Sequence, residues 1–196
     1  THRHQFDRGE CRNRIDKQIS CIIEITNTSG GPVDVTGMKV VVSSDYTTIS
    51  NFNATTWNLS GIMASGTVEY REDVTGTNYW GNNLFWSSGQ KSWAVIFDST
   101  GAIVDALFWG WDSTSISNFS ITVGTVAVSN NGDWVGPGIN ATCGSTNSFT
   151  RVGISDNNDG TDWSTVAKSK GTANTALTIP FPTTCPANEV PAVRGI

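Results

Sequence analysis

Several residue types that catalytic and nucleic-acid-binding proteins depend on are scarce in this sequence. Only two histidines occur, His2 and His4, both at the very start, which argues against a Ser-His-Asp or Cys-His catalytic triad. Charged residues make up 15% of the chain, and the formal net charge is −5. A nucleic-acid partner requires a basic stripe, because neutralising phosphates supplies most of the affinity. The basic cluster within residues 3–17 is interleaved with acidic side chains, so we expect no nucleic-acid partner.

Long apolar runs are also lacking. No stretch reaches the roughly 18 apolar residues that a membrane-spanning helix requires, so no membrane span is expected. Residues 1–20 are polar and charged throughout and do not resemble a signal peptide. The sequence agrees with a mature secreted protein from which such a leader has been removed.

The four cysteines, Cys11, Cys21, Cys143 and Cys185, lack the CxxC or Cys/His spacing of zinc sites. An even number of cysteines in an acidic chain rich in Thr and Asn predicts two disulfides, formed in an oxidising compartment. We therefore expect an extracellular or cell-surface protein. Of the three possible connectivities we expect Cys11–Cys21 and Cys143–Cys185, which would tie both ends of the chain to its body. Closing the second loop, of ~40 residues, would contribute ~4 kcal/mol.

Two almost wholly apolar runs are present, joined by the turn-forming residues Asp98–Gly101. Trp93, Val95 and Phe97 alternate along the first run, and β-rich runs joined by a short Asp/Ser/Gly turn predict a hairpin over residues 91–109. Because the residues between these three are apolar as well, both faces of the hairpin should be covered. The hairpin is therefore predicted to be central in an all-β sandwich.

Shorter runs with β patterning predict the remaining strands. They lie at Ile19–Thr26, Met38–Val42 and Thr67–Arg71, and Asn118–Val128 predicts one or two strands interrupted at Gly124. No internal repeat is detectable. The pattern indicates a single all-β domain with many turns.

Three parts of the sequence, in order, resemble the lamin tail domain family. The family opens with a pattern like "IELYNPSDEPVDLSGWKL", carries "L-D-G-VVD" at the hairpin and "SLQRIG", "DNNADF" and "PGAAN" near its end. The matching stretches here are Ile22–Val42, Phe97–Asp105, Ser148–Gly153, Asp156–Trp163 and Gly171–Asn174. Met38 departs from the pattern, because a tryptophan is usual there. The resemblance implies an immunoglobulin-like antiparallel β-sandwich.

This resemblance also implies a domain organisation. The sandwich would cover residues 19–174, with a long insertion at about 111–147 before the last strands. Residues 1–18 would form a charged N-terminal extension, and residues 175–196 an extended, proline-containing C-terminal tail. Neither terminal segment has a counterpart in the family.

The family is non-enzymatic, and its modules bind partners or decorate larger extracellular assemblies. The resemblance therefore implies a non-catalytic structural or adhesive module in a cell-surface or secreted assembly. Its terminal segments would reach protein partners or copies of itself, since extended ends are suited to strand addition. An accessory domain of a secreted hydrolase is an alternative.

Eight tryptophans are many for 196 residues, and four of them suggest another ligand. Trp80 and Trp86 lie in a Gly/Asn-rich loop, while Trp109 and Trp111 are two apart and would project from one face of an extended chain. Exposed indole rings stack on sugar rings. A carbohydrate-binding platform is therefore a second hypothesis, and the alternative is that these rings cover the sandwich ends or an assembly interface. Trp93, on the hairpin, is expected in the core.

One acidic run has the composition of a weak calcium site. Its candidate ligands are Asp156, Asn158 and Asp162, with oxygen donors that suit calcium. The spacing does not match an EF-hand loop, and Asx-turns explain the same composition without a metal. We therefore expect no cofactor, with calcium as the minor alternative.

Overall fold

The computed structural model describes residues 21–181 apart from 44, 83, 85, 87–89 and 141–146. In these residues strand far exceeds helix, 38% against 5%, as predicted for an all-β chain. The twelve strands are β1 Ile22–Thr26, β2 Val33–Asp34, β3 Lys39–Val42, β4 Trp57–Asn58, β5 Ile62–Met63, β6 Val68–Glu72, β7 Ser92–Phe97, β8 Ile103–Trp109, β9 Ser120–Val123, β10 Val126–Ser129, β11 Asn147–Arg151 and β12 Trp163–Ala167. A short helix α1, Ser113–Ser117, and a 3₁₀ turn, Gly160–Asp162, complete the fold.

The predicted hairpin is formed by β7 and β8, which are antiparallel neighbours in a four-stranded sheet of order β4–β3–β7–β8. Its turn is closed by the Asp98 carboxylate, which accepts hydrogen bonds from the backbone N–H groups of Thr100 at 2.8 Å and Ala102 at 3.1 Å. Aspartate is favoured in such turns because its side chain bonds the backbone two residues on. This sheet is the centre of the molecule.

One face of the central sheet is covered by the predicted insertion. Trp93, Val95 and Phe97 on β7 pack with α1, β9 and β10 in a continuous apolar core. Trp93 is 0% exposed, which confirms its predicted core position. Residues 111–139 therefore supply half of the buried side chains of this core and are not an appendage to it.

The opposite face carries a second apolar core and three separate two-stranded ribbons. Val40, Val42 and Ile96 on this face pack with residues of β1 and β5. The ribbons are β1–β6, β2–β5 and β11–β12, each antiparallel. Both faces of the hairpin are covered, as its apolar pattern predicts. The immunoglobulin-like topology remains a prediction.

Cys21 is buried at the start of β1, and the other three cysteines lie outside the described residues. Both predicted disulfides, Cys11–Cys21 and Cys143–Cys185, therefore remain predictions. The same holds for the terminal segments, since residues 1–20 and 182–196 are not described. No helix in the described ranges is long and apolar enough to cross a membrane.

Replacing Gly101 by alanine is expected to destabilise the protein by about 2–4 kcal/mol, because of overpacking and backbone strain. Gly101 has φ +92°, and a Cβ atom placed there would lie 2.0 Å from the backbone oxygen of Ala127. Gly124→Ala is the matched control, since Gly124 also has positive φ but no atom lies within 4 Å of the added Cβ. Urea unfolding of both variants measures the difference. Equal losses would contradict the proposed clash.

Candidate strand-binding slot

An apolar cavity of about 180 Å³ separates the β1–β6 ribbon from the β11–β12 ribbon. All five residues of β1 and all five of β11 line it, so the two strands form its walls. The floor is the second face of the central sheet. We call this cavity the slot, and its floor residues are Ala94, Ile96, Asp105, Leu107 and Trp109.

The wall formed by β1 presents to the slot a backbone edge that pairs with no other strand of the described residues. The backbone oxygen of Cys21 accepts from Asp73, and the backbone N–H of Asn27 donates to Thr67, so odd-numbered residues of β1 bond to β6. In an antiparallel pair the residues in between direct their N–H and C=O groups to the other edge. The residues whose backbone N–H and C=O groups point toward the slot are Ile22, Glu24 and Thr26.

The opposite wall also directs backbone groups toward the slot, and one of them, the Arg151 oxygen, accepts from the Asn174 side-chain amide at 3.5 Å. The backbone N–H of Val152 donates to the oxygen of Asp162 at 2.8 Å, so even-numbered residues of β11 bond to β12. Phe149 and Arg151 therefore direct their backbone groups away from β12 and toward the slot. In the described part of the chain, no strand pairing joins β1 to β11.

At one end of the slot the chain itself bridges these two edges. Just past β11, the Gly153 backbone N–H donates to Ala176 and its oxygen accepts from Thr178, at 2.8 and 2.9 Å. Just past β1, the Thr28 oxygen accepts from the N–H of Phe181 at 2.9 Å. Residues 176–181 thus lie between the two strand edges just beyond β1 and β11. The slot lies between the same two edges, alongside β1 and β11 themselves. Among the described residues, the slot has the geometry of a strand position that is filled at one end.

A buried ion cluster lies at this end of the slot. The guanidinium of Arg151, a residue that is 4% exposed, contacts three carboxylates. One nitrogen, Nη1, donates to both oxygens of Asp105 at 2.9 and 3.0 Å. The other, Nη2, lies 2.8 Å from Asp156 and 3.6 Å from Asp162. Three carboxylates therefore share one buried cation.

This excess of carboxylates shifts the protonation of the cluster. Burial raises the pKa of Asp105 to about 7, and the charges of Asp156 and Asp162 act in the same direction, while Arg151 opposes them. Burial also raises the pKa of Asp162, which is held partly down by hydrogen bonds from Asn157. For Arg151, burial would lower the pKa, but its carboxylate neighbours outweigh burial and raise it. The guanidinium stays charged, and Asp105 is the group that takes up a proton.

One donor of the cluster is not satisfied within the described residues. The Nε–H of Arg151 is buried and has no hydrogen-bond acceptor there. The guanidinium carbon lies 5.5 Å from the ring centroid of Trp163 and 5.7 Å from that of Phe181. A buried donor without a partner costs about 1–3 kcal/mol. Arg151 lines the slot, so an incoming segment could supply the acceptor.

The structure corrects the prediction of a tryptophan platform for sugars. Trp80, Trp109 and Trp111 are 3%, 5% and 5% exposed, so none offers a flat ring face to solvent. Trp86 is half-buried and stands edge-on to Trp109, with ring centroids 5.7 Å apart. Stacking on a sugar ring requires an accessible indole face. Trp111 packs in one core, Trp80 and Trp86 pack in or against the other, and Trp109 is buried beside Phe149.

Trp109 and Trp111 do not share a face either. Trp109 lies on the slot floor against Phe149, at a centroid distance of 5.3 Å, whereas Trp111 belongs to the core on the other side of the sheet. Gly110, between them, has φ +69°, which ends the alternation of an extended strand. The two-residue spacing therefore misled the sequence interpretation.

Two of the three residues suggested as weak calcium ligands form ion pairs with an arginine side chain. Asp156 and Asp162 face the Arg151 guanidinium, and Asn158 donates its backbone N–H to Asp156 at 3.1 Å. That last bond spans two residues, as in an Asx-turn, which is the metal-free alternative. In the described residues no cluster of His, Cys, Asp and Glu has the arrangement of a metal site.

The ion cluster is the feature that sequence analysis missed. Arg151 and Asp105 both stand in stretches that carry the family resemblance, but they are 46 positions apart. A charged residue inside an apolar run was the available signal, because Asp105 interrupts β8 on its covered face.

No protein-family model, curated protein or solved structure matches this chain.

Proposed function

We propose that this chain is a non-catalytic structural or adhesive module of an extracellular or cell-surface assembly, and that copies of it join by strand addition at the slot. One observation carries the proposal. The edges of β1 and β11 face each other across an apolar floor, and residues 176–181 already bridge the same two edges at one end. Strand addition obtains affinity from backbone hydrogen bonds and specificity from pockets for alternate side chains.

The energetics of the slot favour a peptide strand as its occupant. Backbone N–H and C=O groups that face an apolar cavity lose hydrogen bonds to water unless a partner replaces them. A strand between β1 and β11 would bond on both sides and would cover the apolar side chains of Leu107 and Trp109. The carboxylates at its end are held by Arg151, an arrangement typical of structural ion pairs.

Filling the slot from within should block association. Ala94 lies on its floor, and Ala94→Phe places an aromatic ring in the cavity without changing charge. We expect stability within about 1.5 kcal/mol of the unaltered chain, because the ring enters existing space. Self-association, measured by sedimentation velocity on the full chain over a wide concentration range, should weaken about thirtyfold or more.

Ala127→Phe is the matched control. Ala127 lies on β10 with its side chain exposed, on the opposite side of the central sheet from the slot. The same ring added there should leave self-association unchanged. If Ala94→Phe associates as strongly as the control, the slot is not the assembly site and the proposed function is wrong.

A further inference from the structure

We infer that the strand that enters the slot is Ile15–Ile19 of a second copy of the chain. This inference rests on the proposed function and adds the identity of the occupant. The segment has five residues, the length of β1 and of β11. In an extended chain Ile15, Lys17 and Ile19 project from one side, because side chains alternate. Two isoleucines would face the apolar floor, with one cation between them.

Proline excludes most other terminal segments of the chain. A strand held on both edges needs its backbone N–H groups, and proline has none. Residues 182–196 contain Pro182, Pro186 and Pro191, whereas residues 1–20 contain no proline. The prolines leave one proline-free stretch of five residues in the C-terminal segment, 192–196, whereas every position of the N-terminal segment has a backbone N–H.

Charge favours the same segment. Residues 1–20 carry five basic and three acidic side chains, whereas the rest of the chain carries seven basic and fourteen acidic ones. Beside the slot, Asp105, Asp156 and Asp162 share the single guanidinium of Arg151, and Lys168 also lines the slot. A lysine at the centre of the entering strand would add a cation next to this acidic cluster. Opposite charges across an interface also increase the association rate and fix the register.

The donor must be another copy, because a chain cannot place its own Ile15–Ile19 beside its own β1. The backbone oxygen of Cys21 accepts from the N–H of Asp73 at 3.2 Å, so the β1 ladder already includes Cys21. Only Ser20 would remain for the reversal, and the shortest common hairpin loops have two residues. Reciprocal exchange between two copies gives a closed dimer, and one-way donation gives an open chain of copies.

The test removes the apolar side chains of the proposed strand. The double variant Ile15→Asn with Ile19→Asn should weaken self-association of the full chain about thirtyfold or more, with an unchanged melting temperature of the monomer. Phe6→Asn is the control, since it alters an apolar residue of the same segment outside the proposed strand. Sedimentation velocity measures both with and without reductant, because the predicted Cys11–Cys21 disulfide would enclose Ile15–Ile19 in a loop and disulfides between copies would also hold them together.

A second pair of variants tests the charge. Lys17→Glu should weaken association, whereas Arg3→Glu, which makes the same charge change earlier in the segment, should not. Amide hydrogen exchange gives a readout that a purely structural role would not change. The slot-facing N–H groups of Glu24 and Thr26 should become protected when copies associate, and should lose that protection in the double isoleucine variant.

The outcomes separate this inference from the proposed function. Association that Ala94→Phe abolishes but the double isoleucine variant retains would overturn the inference and keep the function, since another segment would then fill the slot. Association that neither variant changes would overturn both, and so would a full chain that remains monomeric. Loss in both variants, with both controls intact, supports both.

Discussion

Replacing Arg151 by methionine is expected to lower the free energy of unfolding by about 3–5 kcal/mol. Methionine keeps an unbranched apolar stem but removes the guanidinium, the only cation shared by Asp105, Asp156 and Asp162 in the described structure. Removing one partner of a buried ion pair is costly because the remaining charges stay desolvated and uncompensated. Urea unfolding followed by tryptophan fluorescence measures the loss.

Arg71→Met is the matched control for this substitution. Arg71 is partly buried, and its guanidinium lies 4.4 Å from the ring centroid of Trp57. A cation–π contact is worth about 0.5–2 kcal/mol, so its loss should be smaller than that of the buried ion cluster. If Arg151→Met costs no more than Arg71→Met, the three carboxylates are not buried around Arg151 as described.

Stability should fall as the pH rises from about 4 to about 7, because the folded protein holds a proton on Asp105 that the unfolded chain releases. The pKa of Asp105 is raised to about 7 in the fold, mainly by burial, against about 3.9 in an unfolded chain. A carboxyl group with a raised pKa stabilises the fold most below its unfolded pKa, and that stability is lost as the pH approaches its folded pKa. The slope approaches about 1.4 kcal/mol per pH unit, or about 4 kcal/mol in all.

Asp105→Asn should remove most of this slope, because asparagine does not titrate. Asp45→Asn is the control, since hydrogen bonds from Thr47 and Asn51 lower the pKa of Asp45 and its effect on stability has the opposite sign. Urea unfolding at several pH values from about 5 to about 8 compares the three proteins. An Asp105→Asn variant that loses stability with pH as steeply as the unaltered chain would contradict the prediction.

Local pattern predicted the central hairpin correctly for a physical reason. The unbroken apolar run from Trp93 to Phe97 in β7 requires cover on both faces, and both faces are covered. The strands β9 and β10 were also predicted, with the break at Gly124. The sequence pattern could not show which sheet they cover, because the alternation of apolar residues within a strand does not identify the element against which the strand packs.

The slot and its ion cluster depend on contacts that no local pattern contains. β1 and β11 are more than a hundred residues apart in sequence, and the slot exists because they lie close without pairing. The same holds for Arg151, whose partners come from β8 and from the turn before β12. For Trp109 and Trp111 the deciding feature was the backbone angle of Gly110, a conformation that glycine permits but does not require.

The position of residues 112–139 on one face of the central sheet limits how this protein can be shortened. Those residues form the cover over Trp93, Phe97 and Phe108, each 0% exposed. A truncated domain without them would present a contiguous aromatic surface to water, the kind of surface that drives aggregation. The predicted insertion is the part of the chain that covers this face of the hairpin, and a domain that lacks it is expected to aggregate. Expression boundaries must therefore keep residues 111–139 together with β7 and β8.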